Sequence, residues 1–470
     1  MPEPPPPSSP PPPPGPGAPP PPVGPPTAPA GGPPLGPRIH PSPLPPPPRP
    51  APPPPPRSQR AAVVTLAVVV VVALVAAAVL VRGGGDDDSA GRPPGSTAPT
   101  APSTSAPPAS EADLDAAVAD ISAFVAEQRG VDFKQPVDVE LLGEGDFQER
   151  LLADFDEDAD ELRKYEVLLK GLGLVPADVD LVEAMRSLLG AGVVGFYDPE
   201  TKALVVRGAA LSPYVRTTIA HELTHALDDQ WFDLDRPEYD EATDEIGFGF
   251  GAVVEGDARR VENAYRDSLS EDERRDADAE ELGLAAGMDL GGIPLVLVNL
   301  ISAPYSFGEV FVDDLVDSGG DDALGRALTA PPHTSEQVLD PDKYAAGEGA
   351  VDVPHPQVAG EVVDEGVAGQ LLVTLLLADA VGTDGAHTAA TGWGGDWAVA
   401  WNDGDRPCAT LSIVGDDADE TAELGAGFEA WAQEHDGATV TQAEPGGPLT
   451  VASCADADAA AGGGGGPGTA

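Results

Sequence analysis

Cysteine is nearly absent from the 470 residues: only Cys408 and Cys454 occur, and no CxxC is formed. That excludes a disulfide-dense scaffold and a four-thiolate metal site, so any metal here must rely on histidine and carboxylate ligands. Basic residues are also scarce. Lys and Arg number 25 against 79 Asp and Glu, a formal charge of −54 that excludes nucleic-acid binding by bulk charge. Residues able to build a core are few in positions 1–60, which hold 33 of the 55 prolines and, as charges, Glu3 and the arginines Arg38, Arg49, Arg57 and Arg60. Such a segment cannot bury a core and reads as a disordered tail of polyproline II character, a candidate docking site for a cytoplasmic partner.

A single long hydrophobic run succeeds this tail. Ala61 to Val81 is apolar apart from Thr65, and at roughly 1.5 Å per residue it spans about 31 Å, the thickness of a hydrocarbon core. It starts too far from the N-terminus and lacks the small-residue cleavage site of a signal peptide, so it reads as a permanent transmembrane helix. Arginines precede it, whereas Asp86, Asp87 and Asp88 soon come after it. The positive-inside rule then leaves the N-terminus cytoplasmic and exports the rest, making a single-pass protein of the cell membrane. Residues 82–110 read as a flexible stalk. Residues 83–470 carry a formal charge of −58, which keeps an exported domain soluble without naming a substrate. Ala, Gly, Pro and Val richness with five lysines points to a GC-rich bacterial genome and hence to the cell envelope.

The folded part is expected at 111–455, with a Gly-rich disordered tail at 456–470. Ser110 offers an N-cap to an opening helix with Leu114, Val118, Ile121 and Val125 at helical spacing. VVGFYDPETKALVVRG reads as a hairpin turning at Asp198-Pro199-Glu200. Ser212-Pro213 then starts a helix over 213–230, its apolar stripe formed by Val215, Ile219, Leu223 and Leu227. This helix contains HELTH. His221 and His225 lie one turn apart on one face, so both imidazoles can reach one ion, and Glu222 lies where it can take a proton from a water held there. Two neutral imidazoles leave the ion Lewis-acidic, and the carboxylate makes the water a nucleophile toward a carbonyl.

A third ligand is needed. Metzincin spacing would require Gly and His where Asp228 and Trp231 stand, so that solution is excluded. Glu255, on a second helical pattern striped by Val254, Ala258, Val261 and Tyr265, is the chosen ligand; Glu238, Asp240, Glu241 and Glu245 in the intervening acidic loop are the alternatives. With HELTH and EGDA as matching pieces, the sequence resembles the gluzincin metallopeptidases, in which a glutamate on a following helix completes HExxH. That resemblance implies one zinc ion per chain and a peptide or protein substrate. Thermolysin-like members carry an aspartate four positions after the ligand glutamate; Arg259 stands there, leaving Asp257 or Glu262 to orient a ligand. The GxMEN motif of the large aminopeptidases is absent, which favours an endopeptidase. More broadly, GFYDPETKALVV, TIAHELTHALDDQ, VVEGDA, PYSFGEVFVDDL, PPHTSEQVLDPDKY and TGWGGDWAVAW together resemble a bacterial family of HELTHALxDQ-type membrane or secreted metallopeptidase-like proteins, over about residues 190–435.

For the oxyanion, Tyr305, His333 and Tyr344 are candidates among which the sequence does not choose. His355, His387 and His435 have no partner at ligand spacing. Residues 366–382 read as a buried helix interrupted by Gln370, Thr374 and Asp379. The C-terminal patterns read as strands and a helix, with Cys408 and Cys454 in strands; outside the membrane they could close a disulfide worth about 4 kcal/mol on the loop-entropy model. The expected fold is α+β: a zincin-like domain at 111–390, mostly helical around the site with a small sheet, and a C-terminal α+β subdomain at 391–455. The expected activity is that of a membrane-anchored zinc peptidase facing outward. The competing reading is an inactive zincin-fold protein of the envelope that serves as an interaction module.

Overall fold

Ser110 accepts a hydrogen bond from Asp113 N and the Asp113 carboxylate takes one from Ser110 N, a reciprocal cap that starts helix α1 (Glu111–Arg129). Gly130, at φ 63°, ends it in the left-handed conformation glycine adopts without strain. The computed structural model describes residues 109–455 apart from 154, 241 and 289. The Pro-rich tail at 1–60, the transmembrane helix at 61–81, nearly all of the stalk at 82–110 and the Gly-rich tail at 456–470 lie outside the described residues.

Strand β1 (Val139–Leu142) leads into helices α2 (Glu144–Leu151), α3 (Phe155–Gly171) and α4 (Leu181–Gly192), then strands β2 (Gly195–Asp198) and β3 (Ala203–Arg207). β2 and β3 form the antiparallel hairpin the pattern predicts, with Asp198 opposite Ala203. Asp198 holds the turn by accepting from Glu200 N and Thr201 N through Oδ1. β1 joins β3 in parallel, giving the order β1-β3-β2 with β2 at one edge. Helix α5 (Pro213–Phe232) packs on this sheet: Val215, Ile219, Leu223 and Leu227 share a core with Leu204, Val206 and α1.

Helix α6 (Pro237–Asp240) precedes α7 (Ile246–Ser268), α8 (Glu271–Gly287) and α9 (Leu295–Thr329), which breaks at Gly320, where φ is 65°. By length and composition α9 could cross a membrane, but half of its most apolar window is buried inside the fold. Much of that burial is against α7. Gly256 of α7 meets the Gly308 carbonyl, and Gly308 meets the Ala252 carbonyl, so a Cβ at either position would run into backbone. The two helices therefore approach as closely as glycine allows. Gly308→Ala is expected to force them apart and lower the melting temperature, a loss of about 1–3 kcal/mol for overpacking; an unchanged melting curve would show that the contact is slack.

Short helices α10 (Ser335–Leu339) and α11 (Pro341–Ala346) lead to β4 (Glu361–Gly366) and α12 (Gly369–Ala390). α12 covers the stretch expected as a buried helix, and breaks at Gly382, where φ is 74°. Strands β5 (Trp393–Asp403) and β6 (Arg406–Gly415), helix α13 (Ala418–Glu434), and strands β7 (Thr439–Gln442) and β8 (Leu449–Cys454) complete an antiparallel sheet of order β4-β5-β6-β8-β7. Its inner face, through Ala409, Leu411 and Val451, shares one core with Leu169 of α3, Leu376 of α12 and Trp431 of α13. Cys408 faces Cys454 across β6 and β8, and the two are joined by a disulfide. The architecture is α+β.

Candidate metal centre

The centre is built from two helices that cross. In α5, Ser212 caps the N-terminus by accepting from Val215 N, and Pro213 takes a first-turn position where no backbone donor is needed. Two turns on, the helix is wholly enclosed, and His221, Glu222 and His225 are all 0% exposed. The imidazole centroids lie 4.7 Å apart and their planes cross at 79°, the consequence of one-turn spacing. From α7, Glu255 points at both: its Oε2 is 3.2 Å from His221 Nε2 and 3.4 Å from His225 Nε2. One atom from each of these three side chains lies within 4.8 Å of the others, so the trio could hold a metal ion.

The donor set suits a small divalent cation: two imidazoles and one carboxylate, with a coordination position left over. Hydrogen bonding agrees. Both ring nitrogens of His225 and both carboxylate oxygens of Glu222 are buried without a hydrogen-bond partner of good geometry, an arrangement proteins avoid unless another group satisfies them. Burial holds His225 below the usual imidazole range, towards the neutral form that ligates metals. Burial also pulls on His221, but hydrogen bonds from its ring to Glu255 and Glu262 outweigh it and raise it to about 10. Glu222 is pushed up to about 8, chiefly by burial. For Glu255 burial would do the same, yet the neighbouring imidazoles prevail and hold its carboxyl below the usual range.

Glu262, two turns after Glu255, accepts at 3.0 Å from His221 Nδ1 and pairs with Arg259 Nη1 at 2.9 Å. Arg259 and His221 together overcome burial and pull Glu262 to about 2. A carboxylate in that position fixes the ring so that Nε2 faces the cluster. Of the two acids left open by the sequence, Glu262 is the one that bonds His221. Asp257 pairs instead with Arg129 and Arg260. From α9, the Tyr305 hydroxyl donates to Glu255 Oε1 at 3.0 Å, and its ring lies 6.4 Å from that of His221.

The residues after HELTH anchor the end of α5 to its surroundings. Asp229 accepts from the Tyr197 hydroxyl at 2.6 Å and pairs with Lys202 at 2.8 Å, tying α5 to the β2–β3 hairpin. Gln230 accepts from Lys134 N and Gln135 N and donates to Gln135 O, tying it to the loop after α1. Gly195 of β2 lies against the motif: a Cβ there would come within 2.7 Å of Thr218 Cγ2 and 3.1 Å of Glu222 Oε1.

The remaining candidates make their contacts elsewhere. His333 Nδ1 meets Asp244 Oδ2 at 2.8 Å with both side chains exposed, and Tyr344 donates to Ala330 O while packing on Phe311. Tyr305 is thus the oxyanion candidate brought to the cluster. Of the alternative ligands, Glu238 lies at the surface 3.7 Å from Arg236, and Glu245 accepts from Ser335 N and Oγ; Glu241 and the side chain of Asp240 lie outside the described residues. His355 stacks on Trp397 and His435 on Trp431, while His387 lies in the last turn of α12.

No protein-family model matches the chain, and no curated protein matches it. Among solved structures, a "putative hydrolase with a novel fold" from Chloroflexus aurantiacus aligns with 50% of this chain and 88% of its own, at 18% identity and a TM-score of 0.35. A likeness so distant carries no argument about the site.

Proposed function

We propose that the protein is a zinc-dependent peptidase in which His221, His225 and Glu255 hold the ion and Glu222 is the general base, on a zincin-like domain. The observation that carries this reading is the Glu222 carboxylate, buried beside a three-ligand cluster with neither oxygen in a well-formed hydrogen bond. Three protein ligands are the hallmark of a catalytic rather than a structural zinc site. When bound, the ion supplies Lewis acidity, polarising a carbonyl and making water nucleophilic at neutral pH. Glu222 receives the proton from that water on a carboxylate oxygen and returns it to the departing amine. Tyr305 is the hydroxyl best disposed to stabilise the oxyanion, and β2 is the sheet edge on which an extended peptide would lie.

The apolar run at 61–81 anchors this domain in the membrane with its catalytic part outside. The disulfide between Cys408 and Cys454 supports that reading, since such bonds persist in oxidising compartments. One observation favours the inactive envelope protein instead: His221, Glu222 and His225 are closed off from solvent, as in a structural site.

Elemental analysis of the full-length protein, purified and equilibrated with zinc, is expected to give about one zinc per chain. Cleavage of a quenched-fluorescent peptide library should stop on chelation and return with zinc. Zinc without cleavage would leave the envelope reading standing; no zinc at all would sink both the peptidase and its metal centre. Alkylation of the same protein, denatured without reductant, should find no thiol, and two reactive thiols would argue against export.

A further inference from the structure

The first described helix reaches the centre through one buried arginine. Arg129, the last residue of α1 and 3% exposed, pairs through Nη2 with Asp228 Oδ1 at 2.6 Å and through Nε with Asp257 Oδ2 at 2.5 Å. Both acids are enclosed. Asp228 follows His225 by one turn of α5, and Asp257 follows Glu255 by two residues on α7. The fork of one guanidinium therefore spans the two helices that carry the ligands, at the level of the ligands. Without it, the cation left beside these two buried carboxyl groups among the described residues would be Arg260, which meets Asp257 at 3.1 Å and belongs to the same helix.

We propose that Arg129 is a positioning residue that clamps α5 to α7 and thereby sets the separation of His225 and Glu255 required for metal binding. A lysine is a poor replacement: an ammonium is a single point charge, whereas the guanidinium donates from Nη2 to Asp228 and keeps Nε in ion-pair contact with Asp257 at the same time. The inference rests on the metal-site reading above, and its test separates the two.

Zinc affinity of the full-length protein would be measured by competition with a chromophoric chelator, alongside melting of the metal-free form. Arg129→Lys is expected to fold and to bind zinc about 10- to 100-fold more weakly, the usual cost of losing a group that orients metal ligands. Its cobalt-substituted form should show altered visible absorption. Arg260→Ala, which cuts a contact within one helix, should bind zinc as the wild type does. If Arg129→Lys fails to fold, the triple variant Arg129→Met, Asp228→Asn, Asp257→Asn removes the buried charges together and should show the same loss of affinity. Wild-type affinity in either folded variant, or failure of both to fold, would overturn the clamp. A wild-type chain that takes up no zinc would instead overturn the metal centre itself, and the clamp with it.

Discussion

Replacing Glu222 with glutamine is expected to leave zinc in place and to slow peptide hydrolysis about 10²- to 10⁴-fold, the contribution of a positioned general base. The change is nearly isosteric, so Gly195 and Thr218, which crowd this side chain, need not move. It removes the ability to accept a proton and, with it, the buried negative charge. The same substitution should raise the melting temperature of the metal-free protein. A buried carboxylate with neither oxygen in a well-formed hydrogen bond is expensive to keep ionised, and an amide costs less. Burial has already pushed Glu222 up to about 8, the mark of a carboxylate whose charged form its surroundings disfavour. Activity and stability then move in opposite directions, as at sites where function retains a destabilising group. Melting curves and a cleavage assay on matched zinc-loaded and metal-free samples test both. Cleavage at the wild-type rate would remove Glu222 from the mechanism, and loss of zinc would make it a ligand instead.

The parts of the centre legible in the sequence are those that depend on local periodicity. A four-residue apolar repeat after a Ser-Pro start specifies α5, and HExxH within it puts two imidazoles one turn apart regardless of tertiary context. Glu255 is readable for the same reason, because the stripe around it is helical. The supports are not readable, since they are long-range. Arg129 is 99 positions from Asp228, and Tyr305 is 50 from Glu255. The local pattern does not reveal that these side chains meet. Glu262 can be named only as one of two acids, because choosing it requires knowing which side of α7 faces His221 Nδ1. Asp229 and Gln230 resemble solvated residues ending a helix, yet they fasten α5 to a hairpin and a loop assembled from elsewhere. The extent of α9 is hidden because Pro304, which ordinarily signals a break, lies inside its first stretch, whereas Gly320 does interrupt the helix, with φ at 65°.

Removal of the Glu255 carboxylate should have the largest effect on the metal. Glu255→Ala is expected to weaken zinc binding by more than about 100-fold, exceeding what is lost when only an orienting neighbour is removed. Two imidazoles at one-turn spacing remain, but the third direction of the tetrahedron goes, along with the negative charge that offsets the ion. Glu255→Gln separates these contributions. It keeps an oxygen donor in the same place and gives up the charge, so it should retain more affinity than alanine and less than the wild type. Alanine also strands the Tyr305 hydroxyl, whose partner is Glu255 Oε1 in an enclosed pocket, and this should cost the metal-free fold about 1–3 kcal/mol. The glutamine side chain can still accept from that hydroxyl but gives up the charge paired with the buried imidazoles, so its metal-free melting temperature should also fall, by less than that of alanine. Chelator competition and melting on the three proteins therefore give the same order, wild type above glutamine above alanine, for affinity and for metal-free stability. Glu238→Ala, in the short surface helix α6, should match the wild type in both. If Glu255→Ala binds zinc with undiminished affinity, the third ligand lies elsewhere and the gluzincin arrangement is wrong for this chain, whatever the two histidines do.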